Sequence, residues 1–470
     1  MPQYLSPGVY VEEVPSSVKA IAGVGTSTAG FIGVVPDALT VPVAGVSGEA
    51  VGTGDATKKS FDLRNYPVMT GAGSFEFRVA GAPTAATVAN DDAKGRSTVT
   101  FDAAPAAGAA VTGDYIRTSA FKPAAAGDVR LCTNFSEYKR FFGDFSTDAG
   151  HRNLTHAVYG FFNNGGTRCY VARVKAVGDI AGALQKFEAI DEIALVAAPG
   201  VTDANARSEI ITHCARRTKD RFAILDSAEV VETSGALDTT LLDPSNASHV
   251  LPPNTDYGAF YFPWIQVFDP ATQILAPKGD GMRFVPPSGH VAGVYARVDS
   301  ERGVHKAPAN ETIFGALGLR YAIGRSQQDG LNRQGVNVIR ALNGNIRVWG
   351  ARTVGGDANA DLKYVNVRRT LLFLSESIDE GTQWVVFEPN TPALWQKITR
   401  NVSAFLSTVW RSGALFGNTE REAFYVKCDA ENNPPELREL GQVVCEVGVS
   451  IVRPAEFVIF RISQFTAPGK

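Results

Sequence analysis

The chain of 470 residues lacks most of the short patterns that announce chemistry. No G-x-x-x-x-G-K-[ST] phosphate loop occurs, and neither does H-E-x-x-H or C-x-x-C. The six histidines (His151, His156, His213, His249, His290, His305) are dispersed, and the closest two, five apart, suit neither one helical face nor a usual ligand pair. The five cysteines (Cys132, Cys169, Cys214, Cys428, Cys445) are odd in number, show no metal-ligand spacing and have apolar neighbours, so they read as reduced core residues of a cytoplasmic protein. No apolar run approaches the roughly 20 residues of a membrane helix, and the opening Met1-Pro-Gln-Tyr-Leu-Ser-Pro has neither the basic nor the apolar region of a signal peptide. Without such a signal, the five Asn-x-Ser/Thr triplets read as chance. A net charge of −3 gives no bulk attraction to nucleic acid.

Two near-motifs fail on inspection. Gly23-Val-Gly25 has Thr28 where a dinucleotide loop needs its third glycine. Gly25-Thr-Ser27-Thr-Ala29 has alanine in place of the last glycine of a nucleophile elbow, and no strand leads into it. Adjacent acids such as Glu12-Glu13 and Asp191-Glu192 would face opposite ways on a strand. No cofactor and no metal site is expected, and an α/β enzyme remains only a minor alternative.

What is present is organised around residues 362–464. Tyr364-Val-Asn-Val-Arg-Arg369 opens a helix reaching about Ile378, and Trp384–Phe387 reads as a short buried strand. Thr391-Pro392 starts a second helix, with proline where no N–H is needed. Its apolar face is Leu394, Ile398, Val402, Phe405, Leu406 and Val409, and Gly413 is the expected stop. Its other face carries Lys397, Arg400 and Arg411. An alternating strand follows, Val443, Cys445, Val447, Val449 and Ile451. The final strand, Glu456 to Ser463, is too apolar to lie in water and needs a partner edge.

In chain order, prolines on both sides isolate the strand Val9-Tyr-Val-Glu-Glu-Val14, so it reads as an arm or an edge strand. Gly30–Val35 is a buried strand. Residues 41–127, rich in Gly, Ala, Thr and Val with short alternating runs, form a small all-β module. Residues 128–235 alternate strands and helices, which predicts an α/β layer with a partly parallel sheet. Ser288 is expected to cap a helix, and Asn343-Gly344 to turn a hairpin. The fold class is thus mixed α/β and multi-domain. The expected division is an arm at 1–20, a central α/β domain at 21–40 and 128–355, the inserted β domain at 41–127, and an assembly domain at 356–470.

Several of these segments together resemble contractile tail sheath proteins of phages, R-type pyocins and phage-tail-like injection systems. The resemblance lies in Leu5-Ser-Pro-Gly-Val-Tyr-Val-Glu-Glu-Val14 with Gly23-Val-Gly-Thr-Ser-Thr28, in Asn163–Val171, Val304–Asn310, Gly335–Ile339 and Tyr364–Arg369, and in Ser377–Gly381 and Phe387–Asn390. It implies a structural subunit that stacks in six-fold rings around an inner tube and contracts to drive the tube through an envelope, without nucleotide. The implied partners are copies of itself, the tube protein, and baseplate and terminal cap proteins, with no nucleic acid contact and no membrane insertion. Assembly would take place in bacterial cytoplasm. Another tail structural protein, tube or baseplate, is the nearer alternative. On this sequence, Val9, Tyr10, Val11, Glu12, Glu13 and Val14 would be one donated strand. Phe457, Val458, Ile459, Phe460, Arg461 and Ile462 would be the other. Val443 to Ile451 would belong to the receiving sheet, and Lys397, Arg400 and Arg411 would face the tube.

Overall fold

A computed structural model describes residues 20–71 and 73–461. The Val9–Val14 arm and Ile462 lie outside the described residues. The described residues divide into two compact units, residues 25–372 with 453–461, and residues 20–24 with 373–452.

The larger unit is built on a nine-stranded sheet. Six strands at its centre are parallel: Cys169–Val174, Ala29–Val34, Leu195–Ala197, Phe222–Asp226, Gly258–Phe262 and Val336–Leu342. Antiparallel strands flank them, Val129–Cys132 on one side and Asn345–Val348 with Glu311–Thr312 on the other. Parallel strands are covered on both faces, so their sequences read as continuous apolar runs. Successive residues serve two cores. Phe31, Val171, Ile224, Tyr261 and Ile339 enter one. Ile32, Ala172, Leu225, Phe260 and Val338 enter the other.

The helices Ala149–Asn163 and Ser288–Arg302 cover the first face. They approach closely because glycine lies at the contact. A Cβ on Gly289 would stand 2.2 Å from Ala157 Cα, and one on Gly293 would stand 2.5 Å from Phe161 O. The helices Ile180–Phe187 and Ala204–Thr212 cover the second face. Pro263 divides the apolar run 260–267 between the strands Gly258–Phe262 and Ile265–Phe268. Asn343 and Gly344, at φ of 50° and 78°, make the expected hairpin turn, since both central positions need the left-handed region.

Residues 39–121 form two antiparallel sheets. Leu39–Thr53 pairs with Ala110–Phe121, to which Phe75–Val79 and Ala82–Thr84 are added. Ser60–Asp62, Arg96–Phe101 and Ala86–Asp91 make the second. They close over their own core of Phe61, Phe77, Phe101 and Tyr115.

The smaller unit contains the helix Pro392–Arg411, with proline in its first turn and Gly413 at φ 84° beyond its end. Leu394, Trp395, Ile398, Val402, Phe405, Leu406 and Val409 form its buried stripe. The helix Val365–Thr382 is one turn longer than its sequence pattern suggests. Trp384–Phe387 is not a strand. Gln383–Val385 forms a 3₁₀ turn, and Val386 and Phe387 are exposed. Phe387 has a φ of 69°, outside the β region, so β-branched composition misled here. Residues 373–452 also hold a two-stranded antiparallel sheet, Phe424–Lys427 with Glu446–Val449.

Candidate assembly surfaces

In chain order the six parallel strands run 2-1-3-4-5-6 across the sheet. Doubly wound sheets bind ligands beyond the carboxyl ends of the strands where the winding reverses. That reversal falls between Ala29–Val34 and Leu195–Ala197, whereas the 2% exposed carboxylate Asp226 ends the fourth strand, Phe222–Asp226. Its carboxylate accepts from Ser288 N at 2.8 Å, Ser288 Oγ at 2.6 Å and Gly200 N at 3.0 Å, at the start of the helix Ser288–Arg302. Ser288 therefore does not cap its own helix as its sequence suggests, because its hydroxyl is spent on Asp226. Burial raises the Asp226 carboxyl to about 6 against the pull of these hydrogen bonds and of Arg207.

Two of the histidines, His156 and His151, are held by buried partners. His156 Nε2 lies 3.0 Å from Asp269 Oδ1, both buried, and Asp269 also accepts from Thr272. His151 bridges Ser146 and Phe142 O, both inside the core. Burial lowers His151 and His213 to about 4 and His290 to about 3, so these imidazoles are neutral near pH 7. Among the described residues no cluster of three metal-ligating side chains occurs, and no helix is long and apolar enough to cross a membrane.

The polar residues of the resemblance segments are structural. Asn164 is fully buried, receives Phe314 N at 2.8 Å and donates to Phe314 O at 3.0 Å. Asn337, also fully buried, does the same for the main chain of Arg352, at 2.7 Å each way. Asn366 donates to His305 O at 2.7 Å, joining two of the segments. Each amide pairs with main-chain groups outside the regular helices and sheets, where an apolar residue would leave them without that partner. Arg369 forms a buried bidentate pair with Asp299 and donates to Thr26 O at 2.9 Å. In the smaller unit Val24 N donates to Ser377 Oγ at 3.1 Å, and Asn390 ties Gln442 O to Trp395 Nε1. The family resemblance points to the segments that hold these residues; their role as main-chain fasteners needs the fold.

The C-terminal segment is different in kind. Phe457, Val458, Ile459 and Phe460 are 67–84% exposed, and no strand is assigned to them. Four consecutive exposed apolar side chains are a feature that soluble surfaces avoid. The residue just before them is fixed. Glu456 accepts from Arg352 Nε at 2.9 Å, Arg352 Nη2 at 2.8 Å, Asn332 Nδ2 at 2.6 Å and Tyr364 OH at 3.0 Å. Arg453 adds a pair with Asp361 at 2.6 Å. The exposed run thus leaves a clamped root. No motif signals this clamp, since its members are spread over 332–456.

The expected strand Val443–Ile451 is shorter than its alternation. Glu446–Val449 is the strand, Ile451 makes a single bridge to Leu415, and Val443 and Cys445 precede the ladder, half-buried on the smaller core. No third strand joins this sheet among the described residues. On the helix Pro392–Arg411, Lys397 and Arg400 are exposed, with no ion-pair partner among the described residues, while Arg411 lies 3.7 Å from Glu420.

Comparison with known proteins places this architecture. Residues 174–354 match the phage tail sheath protein central domain, and residues 357–465 match the phage tail sheath C-terminal domain. The tail sheath protein of Burkholderia phage BcepMu is 27% identical over 203 residues, which are 42% of this chain and 40% of that protein. The chain spans two fifths to half of the length of the curated relatives it matches. Two solved structures share the fold over nearly the whole of both chains. One is the sheath complex of an extracellular contractile injection system (PVC) in the contracted state, with TM-score 0.64, 22% identity and 99% of each chain covered. The other is the helical sheath of the anti-feeding prophage in the contracted state, with TM-score 0.62, 23% identity, and 98% of this chain and 99% of that one covered. With two adjacent domain models spanning more than half of its length, the chain belongs to the phage tail sheath protein family.

Proposed function

We propose that the chain is the structural subunit of a contractile sheath, polymerising as stacked six-fold rings around an inner tube and acting without catalysis. The observation that carries this reading is the exposed apolar run Phe457–Phe460 leaving its clamped root at Glu456. Such a segment is stabilised by adding as a strand to an open sheet edge, where main-chain hydrogen bonds give affinity and alternate side chains enter pockets. The two-stranded sheet Phe424–Lys427 with Glu446–Val449 supplies such an edge, because a sheet of two strands is marginal alone. The acceptor is a neighbouring copy, and Val9–Val14 is the second donated strand. Linkage through extended segments leaves the folded bodies free to repack, so the work of contraction comes from interfaces better packed afterwards.

The match of two domains to a structural sheath protein family supports a non-enzymatic role. In this reading residues 41–127 are a surface insertion, 356–470 the assembly domain, and 21–40 with 128–355 the central domain. Lys397 and Arg400 face an acidic tube surface. The inner tube, baseplate and terminal cap proteins are the further partners. Particles assemble in bacterial cytoplasm and belong to a phage tail or a tail-like particle.

Electron microscopy of the purified protein with its tube tests the proposal. The full chain forms helical tubes. Deleting residues 1–15, or removing residues 457–470, leaves a folded protomer that forms no long sheaths. Normal polymerisation of both truncated chains refutes strand donation.

A further inference from the structure

The cysteines carry an arrangement that their spacing in sequence conceals. Cys428 directly follows the strand Phe424–Lys427, and Cys445 directly precedes Glu446–Val449. The ladder sets Lys427 opposite Glu446, so one position farther Cys428 faces Cys445. The hydrogen-bonding phase is fixed by Ser450 N, which donates to Ala423 O at 2.8 Å. Antiparallel pairs alternate, so 425/448 and 427/446 are hydrogen-bonded pairs and 428/445 is a non-hydrogen-bonded one. Pairs of that kind bring Cα atoms to about 4.5 Å, inside the span a disulfide requires. The two thiols are close enough to interact directly. Asn433 fixes the surroundings: its amide holds Val444 N at 2.7 Å and Val444 O at 3.0 Å, and its Nδ2 lies 3.9 Å from Cys428 Sγ.

A second cross-strand pair, Cys132 opposite Cys169, lies in the large sheet with both residues fully buried. Both side chains are shut off from solvent. Cys445 differs in being partly exposed.

We propose that Cys428 and Cys445 form an oxidisable dithiol that a low-molecular-weight disulfide converts to a cross-strand disulfide, stapling the hairpin at the end where the connecting loop begins and returns. One protein thiolate attacks the reagent's sulfur and expels one reagent thiolate. The second protein thiolate then attacks the mixed disulfide at the protein sulfur and expels the other. Two protein thiols lose two electrons and two protons, and the reagent disulfide becomes two thiols. Burial raises Cys445 to about 12 and Cys428 in the same direction, so the reaction is slow at pH 7 and speeds up about tenfold per pH unit. The dithiol does not depend on the sheath role, and its test needs no assembly.

The test treats the full-length protein with oxidised glutathione at pH 7, 8 and 9, quenches with acid, alkylates under denaturing conditions and maps peptides by mass spectrometry. The expected product is a peptide pair joined through Cys428 and Cys445, two hydrogens lighter than the reduced pair, accumulating faster at higher pH, with Cys132 and Cys169 still alkylatable. Cys445→Ser should abolish that product and leave at most a glutathione adduct on Cys428. A persistent glutathione adduct on wild-type Cys445, or full alkylation of both residues after prolonged treatment at pH 9, overturns the assignment.

Discussion

Replacing Glu456 tests the root of the C-terminal segment most directly. Arg352 is 4% exposed and spends Nε and Nη2 on this carboxylate. Removing one member of a buried pair costs about 3–5 kcal/mol when the other charge is left uncompensated. Arg352 retains Asp357 at 3.0 Å and Asn332 O at 3.0 Å, and the Glu456 side chain is 20% exposed, so the expected cost is lower, about 2 kcal/mol. In local opening that is about 30-fold. Hydrogen–deuterium exchange of a peptide covering residues 452–461 should therefore quicken about 30-fold in Glu456→Gln. A cycle with Arg352→Met isolates the pair, and the double variant should recover at least 1 kcal/mol relative to the sum of the singles.

The pH dependence has a definite sign. Burial alone would raise the Glu456 carboxyl, but hydrogen bonds from Arg352 and Asn332 outweigh it and hold the group below 4.5. A carboxyl depressed on folding contributes stability above its unfolded value, and that stability is lost as pH falls through the lower folded value. Protection of 452–461 in the wild type should thus fade in acid below pH 4.5 and stay flat in Glu456→Gln. Additive single effects, or equal acid dependence in both proteins, would refute the clamp.

Two further expectations follow from the same structure. Asp226→Asn turns an NH₂ group toward the three donors from Ser288 and Gly200, so urea unfolding should show a loss of about 1–3 kcal/mol, and an unchanged midpoint would mean the carboxylate is not the acceptor described. Lys397→Glu with Arg400→Glu should change protomer stability by less than about 0.5 kcal/mol, because both side chains are exposed, yet lower the yield of tube-guided particles, and an unchanged yield removes the tube-facing role.

The parts of this chain legible in its sequence are those where one local rule decides. Pro392 after Thr391 set the start of a helix, Asn343-Gly344 signalled a hairpin, and the apolar runs at 193–197 and 222–225 read as strands of the α/β layer. The misses share a different cause. At 384–387 the composition favoured a strand, but Phe387 at φ 69° breaks it. At 443–451 the alternation extends beyond the ladder because Val443 and Cys445 pack on the core without pairing. Ser288 looked like a cap until Asp226, 62 residues earlier, claimed its hydroxyl.

The same distance hid the clamp and the thiols. Asn332, Arg352, Tyr364 and Glu456 are drawn together by the return of the chain after Val449, and Cys428 meets Cys445 only once the hairpin register is known. Sequence spacing reports on contacts made within a few residues, whereas both these features depend on pairings made across the fold. An exposed apolar run such as Phe457–Phe460 is the converse case. Its strangeness is visible in sequence because no local context can satisfy it, and the fold does not resolve it within one chain: it fixes Glu456 at the root and leaves the four apolar residues in water. A clamp of four hydrogen bonds at the base of a segment with no internal partner makes physical sense only if direction matters more than local stability. In the proposed strand donation, a tether that leaves its protomer at a fixed point presents the segment to its acceptor already aimed, so less conformational entropy is lost on docking.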